Sequence, residues 1–339
     1  MPVMTIHSAG PGLTVQDLGR PGWKAQGLST GGAADPLALL ESAALLGVKP
    51  TGAVIEMMGF GGTFSVSEGT RIALTGAVMQ ADIDGDPLPH NATHFLPAGS
   101  KLTIRGAQKG VYGYLRLAGG ILTEKIMDSR ATHLTAGIGR RLQAGDTVPI
   151  GPDKDRMRAP QKLPPADRFA GGTIRIMPGP QTAFFDKATQ EAFCATQFRR
   201  SPRGNRQGIR LAHDNGSFGT TGGLTNVSDL IVPGDIQITG EGIPYILLAE
   251  CQTIGGYPRI GSVIPADLPK IAQAAPGTPL QFSFLSVAEA DATATSQEAS
   301  LRAITKMCQP MVRDPHVFAD LLGYQLISGA TPGDDLERP

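Results

Sequence analysis

An excess of charge of either sign is missing from this 339-residue chain: 30 Lys and Arg stand against 30 Asp and Glu. A protein that binds nucleic acid or an anionic membrane broadly needs a basic excess, so neither class of partner fits. Cysteine is scarce. Cys194, Cys251 and Cys308 are odd in number, far apart and form no C-x-x-C pair, which argues against a disulfide framework and a thiolate zinc site. No apolar run approaches the ~18 residues of a membrane span, and the N-terminal stretch has neither a basic n-region nor an apolar h-region. The expectation is a soluble, cytoplasmic protein. Also absent are a G-x-x-x-x-G-K-[ST] loop, a G-x-G-x-x-G opening a βαβ unit, and an Ala-Met-Lys-Met stretch to carry biotin. A nucleotide site would therefore be atypical, and carboxyl-biotin would arrive on another chain.

Turns and short strands are what the chain has in abundance. It holds 44 Gly and 27 Pro, with a hydrophobic fraction of 41% to build a core. Residues 71–75, 101–105 and 111–117 predict strands, and Asp84-Gly85 predicts a hairpin turn because both residues tolerate positive φ. One helix interrupts them: Asp35 suits the cap, Pro36 the first helical position, and Gly47 the end. Residues 151–172 are charged, rich in Pro and without periodicity, and predict a linker or long surface loop. A strand at 173–177, a helix at 180–193, further strands over 201–285, a flexible loop at 216–223 and a short helix at 267–275 follow. The reading is mainly β: an N-terminal β-barrel domain at 1–160, a second β-barrel-like domain at 161–285, and a helical, partly disordered tail at 286–339.

Several motifs favour their structural reading. Gly27-Leu28-Ser29-Thr30-Gly31 matches G-x-S-x-G, yet a Pro-Gly loop precedes it where a nucleophile elbow needs a strand, and the helix begins five residues late. Asp82-x-Asp84-x-Asp86 lacks the glycine and the twelfth-position Glu of a calcium loop. His90 and His94 read as surface histidines, so no metal site is expected. Four polar clusters remain: Gln16-Asp17 with Arg20; Ser129-Arg130-Ala131-Thr132; Arg203, Arg206 and Arg210; and Glu250 to Arg259. The last follows an apolar strand, Ile246-Leu247-Leu248. Its glycine pair and proline suit a tight turn, but Glu250, Gln252, Thr253, Tyr257 and Arg259 together suit a functional rim.

The clusters resemble one family when taken in order. Gln16-Asp17-Leu18-Gly19-Arg20-Pro21-Gly22, Gly31-Gly32-Ala33-Ala34-Asp35-Pro36-Leu37, Leu117-Ala118-Gly119-Gly120-Ile121, Ser129-Arg130-Ala131-Thr132, Pro178-Gly179-Pro180-Gln181 and Gln252-Thr253-Ile254-Gly255-Gly256-Tyr257-Pro258-Arg259-Ile260 all fit it. The pattern resembles the biotin-dependent carboxyltransferase family related to the second component of allophanate hydrolase, over residues 5–285. That family includes the C component of bacterial 5-oxoprolinase, the kinase-inhibitor antagonist KipA and a domain of urea carboxylase. Two departures stand out. Glu250-Cys251-Gln252-Thr253 replaces the family's frequent Asp-x-Gln-Thr, and Gly204-Asn205-Arg206-Gln207-Gly208 its Ser-Asp-Arg-Met-Gly.

The resemblance implies cyclophilin-like barrels and the C component of an ATP-dependent 5-oxoprolinase. Such a chain would open 5-oxo-L-proline to L-glutamate only in a heteromer with the A component and the KipI-like B component of that enzyme. The alternatives are a biotin-dependent carboxyltransferase acting on urea or a similar amide, and a KipA-like regulator without catalysis. A lactam amide is resonance-stabilised, and phosphorylating its oxygen makes the carbon electrophilic, so cations are needed around the developing charge. Arg20, Gln252, Tyr257 and Arg259 are the expected catalytic residues. Arg130, Arg206, Gly255 and Gly256 are expected to hold ATP, with its Mg, or biotin in the alternative. Gln16, Asp17, Thr253 and Glu250 are expected to hold a small-molecule amide, with Asp17 or Glu250 also placed to bind a metal with the phosphates or to orient an arginine. On this reading Arg259→Ala loses activity but stays folded.

Overall fold

The computed structural model of the chain describes residues 1–220 and 228–311. The mainly β expectation holds, in two bodies that differ in closure. The first is an eleven-stranded sheet whose centre is two long antiparallel strands, Thr70–Ile83 and Leu102–Leu117. They pair from Ile72↔Leu117 to Ile83↔Leu102, and the register shifts three times between Gly76 and Ala81. Such bulges bend a strand, which lets 14 and 16 residues stay paired while the sheet curves. Met4, Ile6, Phe64, Ile72, Leu74, Leu102, Ile104 and Leu115 form its core. Asp84 (φ 51°) and Gly85 (φ 99°) make the expected hairpin turn into Asp86–Leu88.

The expected helix runs Pro36–Leu46. The Asp35 carboxylate accepts from the Ala38 N–H at 3.3 Å, and Gly47 closes the helix at φ 67°. Every residue from Ala38 to Leu46 is buried, because the sheet covers one side and the tail helix Gln297–Met307 another.

The second body is a closed seven-stranded barrel, in the order Gly172–Met177, Arg259–Val263, Asp235–Ile238, Pro244–Leu247, Gly208–Ala212, Phe198–Gly204, Pro279–Phe284. One pairing is parallel, between the first and last strands in sequence, and it closes the barrel. Ile174, Ile176, Ile209, Leu211, Ile236, Ile246 and the mutually tilted rings of Phe193, Phe198 and Phe282 fill it.

Three expectations change. The stretch at 151–172 is an exposed surface loop over 154–160, as expected, but it is pinned further on: Arg168 is buried and bonds Asp35 at 2.8 Å and Glu41 at 2.7 Å, and Gln161–Lys162 joins the first sheet. Its charges and prolines hid these partners, which lie more than a hundred residues away. The helix expected at 180–193 begins later, as a turn at Thr182–Phe184 and a helix Lys187–Ala195 capped by Asp186. The tail folds back: Ser286 and Ser296 cap Val287–Ala292 and Gln297–Met307, and Gln309–Pro310 pairs with Gln161–Lys162. Residues 221–223 of the expected loop and 312–339 of the expected tail lie outside the described residues. No helix among the described residues is long and apolar enough to cross a membrane.

Candidate functional site

The two bodies meet at a buried ionic junction. Arg206, on the turn after strand Phe198–Gly204, reaches across to Glu56 of strand Val54–Met58 and to the Gly32 carbonyl, and bonds Glu250 at 2.6 Å. Burial works against its charge, but Glu56 and Glu250 outweigh burial and hold its pKa above the ordinary value. The second Glu56 oxygen accepts from the Ala34 N–H at 2.8 Å and the Tyr114 hydroxyl at 2.9 Å. The second Glu250 oxygen accepts from Thr135 N–H and Oγ at 3.3 Å. Arg206, expected to hold a cofactor, spends one N–H of each of its three nitrogens on joining the bodies, and Glu250, expected to hold substrate, is one of its counter-charges. A cavity of about 600 Å³ opens at this seam, lined by Thr14, Thr135, Arg141, Asn205, Arg206 and Glu250.

Ser29 completes a geometry that the sequence argued against. Its Oγ lies 2.8 Å from His133 Nε2, and Glu250 lies 3.9 Å from His133 Nδ1. The Ala136 N–H, however, donates to Nδ1 at 3.2 Å, so the proton sits on Nε2 and points at Ser29. A general base needs Nε2 unprotonated toward the serine. Burial draws the His133 pKa down against the pull of Glu250, both side chains are buried, and the pair ties loops together.

Asp17 is another organiser. One oxygen takes the Gly19 N–H at 2.8 Å and the Ser129 hydroxyl at 2.7 Å; the other takes the Arg130 N–H at 2.7 Å. Both oxygens, expected to meet substrate or metal, are engaged in shaping two loops. Gln16 is fully buried and donates to Thr14 Oγ and the Thr132 carbonyl, each at 3.1 Å. Arg20, 1% exposed, bonds the Ala131 and Ile126 carbonyls, with Nη1 unpartnered among the described residues. Burial lowers its pKa against Asp17 and Glu250. It lines a cavity of about 290 Å³ with Arg130.

The stretch from 249 to 261 divides its residues between two jobs. Arg259 is turned inward and bonds Gln181 Oε1 at 3.2 Å, Asp235 at 3.1 Å, and Asp229. Expected as catalytic, Arg259 braces the barrel through these bonds. Cys251 is buried, and burial, then Asp235, pushes its thiol up to about 12, away from nucleophilic use. Thr253 is buried, its carbonyl taking the Ile231 N–H at 3.0 Å. Neither Gly255 nor Gly256 has positive φ; a Cβ on Gly255 would stand 2.6 Å from the Gln237 amide, so that glycine serves internal packing.

Gln252 and Tyr257 face the other way. They line a cleft of about 460 Å³ on the barrel with Arg203, Asn205, Gln207, Gln237 and Tyr245. Among the described residues, no hydrogen bond engages the side chains of Arg203, Gln207, Gln237, Gln252, Tyr245 or Tyr257. Arg203 is the one charged residue in this wall.

The expected single cleft is thus divided. Gln252 and Tyr257 share one cavity, Arg206 and Glu250 a second, Arg20 and Arg130 a third. Sequence reasoning missed Glu56, Tyr114 and His133, and did not separate Arg203 from its neighbours. A signal existed for Glu56, a lone acid in the apolar run Val54-Ile55-Glu56-Met57-Met58, where burial demands a partner.

A family model described as the carboxyltransferase domain, subdomain A and B, matches residues 26–284. The C component of the 5-oxoprolinase of Escherichia coli K12 is 35% identical over 292 residues, covering 85% of this chain and 93% of that protein. The protein of the same name from Haemophilus influenzae is 32% identical over 281 residues, covering 82% and 89%. The crystal structure of Kluyveromyces lactis urea carboxylase matches with a TM-score of 0.78 at 22% identity, a likeness of fold; it covers 92% of this chain, which spans 31% of that one.

Proposed function

The chain belongs to the carboxyltransferase domain family of subdomains A and B, and from that premise we propose that it is the C component of a 5-oxoprolinase. The complex we assign it to also contains the A component and a KipI-like B component. It opens 5-oxo-L-proline with water to L-glutamate, coupled to hydrolysis of ATP to ADP and phosphate.

One observation carries the reading: the barrel cleft offers hydrogen-bonding groups that no group among the described residues engages. 5-Oxoproline presents one lactam N–H donor, one carbonyl acceptor and one carboxylate. Gln207, Gln237 and Gln252 supply both amide donors and acceptors, Tyr245 and Tyr257 supply hydroxyls, and Arg203 supplies the single cation a carboxylate needs. In this reading Gln252 and Tyr257 orient the ring, and Arg203 takes its carboxylate. ATP supplies a phosphoryl group that turns the amide oxygen into a leaving group. Of the arginines expected to hold its phosphates, Arg206 does not fit, being engaged by Glu56 and Glu250. Arg130 fits: its Nε donates to the Ile121 carbonyl at 2.9 Å, and its terminal nitrogens have no partner among the described residues.

Glutamate release from 5-oxoproline, measured with the chain alone and with the A and B components added, tests the assignment. Activity that needs all three chains and ATP supports it. Turnover that needs bicarbonate and biotin instead assigns a carboxyltransferase, and tight binding to the B component with neither activity assigns a regulator.

A further inference from the structure

The strand Asp235–Ile238 alternates polar and apolar residues, and Ile236 and Ile238 fill the barrel core. Gln237 therefore stands on the opposite face of that strand. Here a separate two-stranded ribbon, Asp229–Leu230 paired with Ile254–Gly255, packs on it, and Gln237 is only 8% exposed. Of the amide, hydroxyl and guanidinium groups lining the barrel cleft among the described residues, Gln237 alone is buried. Arg203, Gln252 and Tyr257 are exposed at the rim, and Gln207 and Tyr245 are half-buried. Yet the Gln237 carboxamide has no hydrogen-bond partner among the described residues. A buried amide without a partner costs stability, so its bonds come from whatever enters the cleft.

The ribbon lies this close because residue 255 has no side chain. A Cβ there would stand 2.6 Å from the Gln237 carboxamide nitrogen and 3.0 Å from Ile231 Cδ1. Gly255 has no positive φ, so the contact, and not the backbone conformation, demands glycine. Beside the carboxamide, Ile231, Leu247 and Cys251 form a buried apolar cluster that lines the same cleft. A primary carboxamide offers an N–H and a C=O side by side. An open-chain secondary amide is trans and points its own N–H and C=O in opposite directions, so a carboxamide reaches one of them at a time. A lactam ring forces the cis arrangement. Its N–H and C=O then point the same way, two parallel bonds to a carboxamide form at once, and the ring methylenes are left for the apolar cluster.

We propose that Gln237 reads the cis-amide edge of the substrate with two hydrogen bonds, and that Gly255 is the positioning residue that keeps this carboxamide at the cleft, so that the site selects cyclic amides over esters and open-chain amides. The inference rests on the barrel cleft being the substrate site. Three carboxylates of similar size test it on the full chain: 5-oxo-L-proline, the lactone with oxygen in place of its N–H, and N-acetylglycine, an open-chain amide. In ligand-observed NMR titrations the lactam is expected to bind at least about tenfold more tightly than either, the effect of one hydrogen bond. Gln237→Met keeps the length and removes both polar groups. It is expected to bring the three affinities within about twofold of one another while the thermal midpoint holds or rises, since an unpartnered buried amide gives way to an apolar chain. Gly255→Ala narrows the preference several-fold, and narrows it no further in a Gln237→Met background. The inference is overturned if the lactam does not bind saturably, if the lactone or N-acetylglycine binds as well, or if Gln237→Met keeps the preference or unfolds the protein. Glutamate release by the assembled complex separates the two readings. Release that Gln237→Met leaves unimpaired sinks this inference and spares the assignment; a Gln237-dependent lactam preference without release does the reverse.

Discussion

At the junction, Arg206 is enclosed by Glu56, Glu250 and a backbone carbonyl, which engage all three of its nitrogens. One residue further along the chain, Gln207 turns outward into a cleft where it meets Gln252, Tyr245 and Tyr257, all without partners among the described residues. Neighbouring positions of one turn thus serve opposite ends. The junction exchanges charge for rigidity: each group there has lost water and recovered bonds, so removing any one leaves its partners exposed to the full desolvation cost. The cleft keeps its groups partly hydrated and uncommitted, which contributes little to stability and leaves hydrogen-bonding capacity for a ligand.

The strongest way to break this comparison is to cut the junction. Arg206→Ala leaves two buried carboxylates without their cation and is expected to cost about 3–5 kcal/mol, a loss that chemical denaturation reads directly. A change below about 1 kcal/mol would show that water reaches the junction and that the two bodies are joined by apolar contact instead. Arg259→Ala comes next, at about 2–4 kcal/mol, because Asp235 is buried and Asp229 half exposed, so one of the two freed acids recovers water. The sequence reading expects that variant to stay folded and lose activity alone; the bonds of Arg259 to Asp229 and Asp235 predict a loss of stability as well.

The difference between the two expectations shows what the sequence made legible. Local chemistry was readable: the Asp35-Pro36 start and Gly47 end of the helix, the Asp84-Gly85 hairpin, and the strands around them depend on residues a few positions apart. The residues of the functional region were also readable as types, since Arg, Gln, Tyr and Glu in a glycine-rich stretch are costly to place without purpose. Their directions were not. Whether Arg259 points at Asp229 and Asp235 or into a cleft depends on strand register, and whether Arg206 is engaged depends on Glu56, a partner 150 residues earlier in the chain. Arg168 escaped for the same reason, since its acids sit on a helix 127 and 133 residues before it.

The cleft supplies the converse test. Gln252→Ala and Tyr257→Phe should leave stability within about 0.5 kcal/mol of the parent, as expected for exposed side chains with no internal partners. In the assembled complex each should lower kcat/KM for 5-oxoproline about tenfold, the worth of one hydrogen bond to substrate, while assembly of the complex is unchanged. If both variants keep full activity, the amide groups of the barrel serve something other than the substrate. If both unfold the protein, the division between an engaged junction and an unengaged cleft fails.

The smallest expected effect lies beside Arg168, on the engaged side of the comparison. His90 donates from Nε2 to the Gly76 carbonyl at 3.1 Å, and its Nδ1 has no partner among the described residues. Burial first, then the nearby Arg168 and His94, lowers its pKa from 6.5 to about 4, against the pull of the Gly76 carbonyl. The unfolded chain therefore binds a proton on this ring near pH 6.5, and the folded chain only near 4. Between those values the unfolded state holds more protons, so stability rises with pH and is lost as pH falls through that window. Glu41, whose carboxyl burial holds above its ordinary range despite Arg168, gives the opposite slope at the acid end. The measurement is consequently a difference: thermal midpoints of the parent and of His90→Gln between pH 7 and 4. The parent should lose stability on acidification faster than the variant. Parallel curves would mean that His90 is hydrated in the fold, and that the packing around Arg168 is looser than the bonds it makes to Asp35 and Glu41 imply.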